Sequence, residues 1–124
     1  FEFTPTEDAI VHLELMGTQN PPGGVVAWTY YDNFHVEGAE LINGDFEDVD
    51  TNGRIAGWNC SLLDKAKALS EVRAAVVDLG KDAASGTLAA MVSHDYRISQ
   101  GIAIKKGQKV VISFQARAAM PEMQ

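Results

Sequence analysis

In residues 10–16 the apolar Val11, Leu13 and Leu15 alternate with His12 and Glu14, the two-residue period of a strand that buries one face. Pro21-Pro22-Gly23-Gly24 then breaks the pattern, as a turn or loop over residues 18–24. Residues 25–36 carry aromatic and β-branched side chains (Trp28, Thr29, Tyr30, Tyr31, Phe34) and read as a second, longer strand, interrupted by the polar pair Asp32-Asn33. Asn43-Gly44-Asp45 punctuates before Phe46-Glu47, and residues 48–53 form an acidic, turn-rich loop leading to Gly57-Trp58. Two short strands are therefore expected on either side of an irregular connection. In residues 61–77, Leu62, Ala66, Leu69, Arg73 and Val76 fall near a 3.6-residue period behind Ser61, which leaves a short helix and an irregular segment equally open.

Residues 87–93, 98–104 and 109–117 read as three further strands, and Lys105-Lys106-Gly107-Gln108 is expected to turn the chain between the last two as a hairpin. On the last strand Val110, Ile112, Phe114 and Ala116 point to the core, and Val111, Ser113, Gln115 and Arg117 to a wetter side. Helices do not alternate with these strands as they would in a parallel sheet. The expected fold is all-β, two antiparallel sheets packed face to face in a β-sandwich.

Composition narrows this picture. A chain of 124 residues, 46% hydrophobic, buries one core and divides poorly into two. Seventeen acidic against ten basic residues, a formal charge of −7, argue against a nucleic-acid backbone or an anionic membrane as partner and suit a neutral ligand or a cation. Cys60 is the single cysteine, so it forms no internal disulfide, and no zinc-like ligand spacing surrounds it. No apolar run approaches the roughly 20 residues of a membrane span, so the segment is expected to be soluble, and no signal peptide opens it. A start at Phe1 and a stop soon after a strand-like run suggest a piece of a longer polypeptide.

The run Leu41-Ile42-Asn43-Gly44-Asp45-Phe46-Glu47, followed by Gly57-Trp58, resembles the opening strand of carbohydrate-binding modules with the galactose-binding-like jelly roll, in families 4, 9, 16 and 22. Ser99-Gln100-Gly101-Ile102 through Ile104, Lys106-Gly107 and Val110 through Arg117 are similar to that family's strand, turn and Ser-Phe-x-Ala-Arg strand. Phe1-Glu2-Phe3-Thr4-Pro5, residues 10–16 and Tyr31-Asp32-Asn33-Phe34-His35-Val36 resemble its closing strands. The order is out of phase: residues 1–38 are closing strands and residues 39–124 opening strands. A fragment cut from a tandem array, a circular permutation, and a subunit completed by a neighbouring chain would each produce that order, the last by strand addition at an open edge.

The resemblance implies a non-catalytic glycan-binding module of a secreted or cell-surface protein, with a structural calcium held by Asp32 and Glu47; Asp45, Asp48 and Asp50 lie near in sequence. Residues 48–53 superficially match an EF-hand loop, but its twelfth position is Asn59 rather than glutamate. Sugar recognition needs an aromatic face plus amide, guanidinium or carboxylate groups, which makes Tyr96, Arg97, Gln115 and Arg117 the candidate ligand-binding residues, with Trp58 and then Trp28 as further candidates, although in the resembling families the Gly-Trp tryptophan often belongs to the core. His12, His35 and His94 sit on separate strands at no ligand or base spacing. No Gly-x-Ser-x-Gly elbow or phosphate-binding glycine loop occurs, so no catalysis is expected. The competing expectation is a structural subunit of an extracellular assembly or filament, self-assembling by strand exchange between chains.

Overall fold

A computed structural model describes residues 1–17, 27–51, 54–60, 75–94 and 97–118. Among the described residues there are eight strands: β1 (Glu2–Phe3), β2 (Ala9–Leu15), β3 (Thr29–Glu37), β4 (Asn59–Cys60), β5 (Ala75–Asp78), β6 (Leu88–Val92), β7 (Ile98–Ile104) and β8 (Val110–Ala118). Every pairing is antiparallel. They form a five-stranded sheet in the order β1-β8-β3-β6-β5 and a three-stranded sheet in the order β2-β7-β4, a β-sandwich. Strands from residues 1–38 and 39–124 share both sheets and interleave in the larger one.

The alternation in β2 and β7 places Leu15, Ile98, Ile102 and Ile104 in the core, facing Ala90, Val92, Val110 and Ile112 of the larger sheet. Phe34, Phe46 and Trp58 fill its middle, Phe46 and Trp58 with ring centroids 5.2 Å apart and Phe34 6.1 Å from each. Burying each such ring contributes about 1.5–3 kcal/mol.

Several expectations change. Phe46-Glu47 is not a strand: Phe46 has φ +61° and is fully buried at a turn, because Asn43 folds the segment back. The Asn43 amide donates to the Asp48 and Ala56 carbonyls, its Oδ1 accepts from Asp48 N, and its own carbonyl accepts from the Trp58 indole at 3.0 Å. Strand pairing resumes at Asn59, one residue after Trp58. Residues 75–77, within the stretch where a helix stood open, belong to β5, since Val76 and Val77 pair with Ala90 and Ala89 of β6; residues 61–74 lie outside the described residues. The Lys105–Gln108 turn forms, with Gln108 N donating to Lys105 O at 3.0 Å, but it makes no hairpin. It carries the chain from one sheet to the other, and is held there by Lys106 N on Asp8 Oδ1 and Gly107 N on Pro5 O. Phe114, expected in the core, is 47% exposed and stacks 4.8 Å from Phe34.

Asp32-Asn33 interrupts β3 as a β-bulge. The register with β8 slips between Asp32, opposite Gln115, and His35, opposite Ser113, and Asn33 takes φ +55°, a value that asparagine tolerates. The extra residue lets Tyr31 and Phe34, three apart, both pack toward the core while Asp32 stays on the opposite face.

Candidate functional site

On the outer face of the five-stranded sheet, register sets Tyr30 opposite Arg117 and Asp32 opposite Gln115. With Asp82 and Leu79 from the β5–β6 connection they line a hollow of about 130 Å³. The Arg117 guanidinium lies 5.6 Å from the Tyr30 ring centroid, a cation–π contact on a side chain that is otherwise exposed. Gln115 Oε1 accepts from the Asn33 amide at 3.1 Å, which fixes the amide's orientation and leaves its NH2 available. The hollow therefore combines an aromatic ring, a guanidinium, an amide and a carboxylate within one small concavity.

The wall of this hollow is the β5–β6 connection, which includes a 3-10 turn at Gly80–Asp82. Two carboxylates latch it down. Asp32 Oδ2 accepts from Ser85 N at 2.8 Å, and Glu47 accepts from Thr87 N at 3.0 Å and Leu88 N at 2.8 Å. Gly86, at φ +57°, passes so close to the Glu47 carboxylate that a β-carbon would collide with it. Asp32 is buried, and burial pushes its carboxyl above the ordinary range; the neighbouring Glu47 charge adds to this, while N–H donors from Ser85, Asn33 and Ala84 oppose it.

Of the residues singled out in the sequence, Gln115 and Arg117 come together, and Asp32 and Glu47 meet on the same connection. Arg97 does not join them: it pairs with Glu14 at 3.1 Å, on the smaller sheet, and its Nε donates to the His94 carbonyl. Trp58 is corrected from a ligand candidate to a core residue, 8% exposed with its indole N–H satisfied, and Trp28 is buried as well. Tyr96 lies outside the described residues. Asp45, Asp48 and Asp50 serve local turns, Asp45 Oδ1 accepting from Glu47 N and Asp50 Oδ1 from Arg54 N. Sequence reasoning missed Tyr30 and Asp82. Tyr30 is two residues from Asp32 and so shares its face, a signal available in the sequence once Asp32 is placed; Asp82 arrives through a loop fold that no periodicity announces.

The fit to calcium is partial. The carboxylate oxygens of Asp32 and Glu47 each accept a backbone N–H, and each retains a second lone pair. Among the described residues no third histidine, cysteine or carboxylate joins them, so backbone carbonyls and water would complete the oxygen shell. The chain matches no protein-family model, no curated protein and no solved structure.

Proposed function

We propose that this chain is a non-catalytic, glycan-binding β-sandwich of the galactose-binding-like jelly-roll kind, serving a secreted or cell-surface protein. The observation that carries the reading is the juxtaposition of Tyr30, Gln115 and Arg117 around one hollow on the outer sheet face. A ring face accepts the C–H side of a pyranose, and amide and guanidinium donors take its hydroxyls. Asp32 and Glu47 would hold a structural calcium whose charge offsets the cost of their proximity and stiffens the connection that walls the hollow. A glycan array tests the reading. Binding to at least one polysaccharide, weakened about tenfold by Tyr30→Ala as the loss of about 1.4 kcal/mol implies, supports it. Silence across the array, or binding that Tyr30→Ala leaves unchanged, counts against it.

A second reading, a structural subunit of an extracellular assembly joined through strand edges, is favoured by one observation. Among the described residues β2 has no partner on its outer side.

A further inference from the structure

Among the described residues β2 and β1 are edge strands of the two sheets, and between them lies a mainly apolar gap of about 470 Å³ lined by Phe1, Phe3, Val11, Leu13, Ile102 and Ile112, with His12 and Glu14 also on its wall. Phe1 is 80% exposed at its mouth. β2 runs seven residues, Ala9–Leu15, without lysine, proline or a bulge, and Glu14 is its one charged side chain.

We infer that this edge pairs with β2 of a second copy of the chain, antiparallel and symmetric about His12, to give a closed dimer. The inference rests on the second reading above and narrows it, since an isologous contact closes on itself and forms no filament. Self-complementarity selects the occupant. In the register centred on His12, Val11 faces the other copy's Leu13, Ala9 faces its Leu15, and the apolar gaps of the two copies, each with Phe1 at its mouth, adjoin. On the outer side His12 meets His12 and Ile10 stands opposite Glu14; each imidazole has as its diagonal neighbour the other copy's Glu14, which also pairs with Arg97. Gly101 beneath His12 leaves room for the imidazole to lie against the sheet, its would-be β-carbon 3.6 Å from His12 Cε1.

Light scattering during size exclusion over a range of concentrations tests this, with two variants. His12→Glu sets two carboxylates face to face at the two-fold axis, flanked by both Glu14 residues. It should weaken association at least tenfold, whereas His35→Glu, the same charge change on an exposed residue of the other sheet, should not. His12→Cys in a Cys60→Ser background should cross-link under mild oxidation into a species of twice the 13.4 kDa chain mass. Association should also strengthen as salt screens the −7 charge on each copy. A monomer at every concentration overturns both the dimer and the strand-edge reading. Open-ended polymers, or a dimer that His12→Glu does not weaken and His12→Cys does not trap, overturn the dimer alone.

Discussion

Tyr31 shows how one side chain ties the bulged strand to its surroundings. Its hydroxyl donates to the Met16 carbonyl at 2.8 Å, and burial raises its pKa above the ordinary 10.0. A raised folded pKa means that folding favours the neutral phenol. Its contribution is complete below 10.0 and is lost as pH climbs through the higher folded value. Tyr31→Phe should cost about 1 kcal/mol in urea unfolding at neutral pH and should flatten the loss of stability in alkali. Asn43 holds a stronger position, because its amide and carbonyl organise Asp48, Ala56 and Trp58 from a backbone at φ +54°. Asn43→Ala removes the side-chain partners of the Asp48 N–H and of the Asp48 and Ala56 carbonyls, keeps the main-chain carbonyl that accepts from Trp58, and adds backbone strain, so a loss of about 2–4 kcal/mol is expected from the same measurement. The Asn-Gly pair was legible as a turn; that its side chain would hold the tryptophan loop was not, since one sequence does not say which backbone groups approach.

At the scale of elements, β2, β6, β7 and β8 were legible to within a residue or two; period-two alternation marks β2, β7 and the start of β8, whereas β6 buries the neighbouring Ala89 and Ala90 alike. The same reasoning failed over residues 43–58, where apolar Phe46 and Trp58 reach the core from turns, and alternation has no meaning in a turn. It also mistook the β7–β8 turn for a hairpin, since a short polar turn reads alike whether the chain re-enters its own sheet or crosses to the facing one. The latch on the β5–β6 connection makes its own prediction. Glu47→Ala strands the Thr87 and Leu88 N–H groups, should cost about 2 kcal/mol, and should speed tryptic cleavage after exposed Lys81. Gly86→Ala should act in the same direction, by collision with Glu47 and by its positive φ.

For the whole molecule, the closing-strand and opening-strand halves read in the sequence share both sheets, with β3 set between β8 and β6. That interleaving builds the hollow, because Tyr30 and Asp32 come from the first half and Gln115, Arg117 and Asp82 from the second. Gln115 and Arg117 were legible as polar positions of an amphipathic strand; their neighbours depend on cross-strand register, which no local pattern carries. Calcium should raise the melting temperature by several degrees at a hundredfold excess over its dissociation constant, about 2.7 kcal/mol of linkage, and Asp32→Asn should remove that gain. The glycan reading is tested most directly by two-dimensional amide NMR of the labelled chain during titration with a neutral oligosaccharide selected from the array. Shifts concentrated at Tyr30, Asp82, Gln115 and Arg117 are the expected result. Shifts confined to Arg97 and the smaller sheet, or none at saturating sugar, would contradict a glycan site on this face.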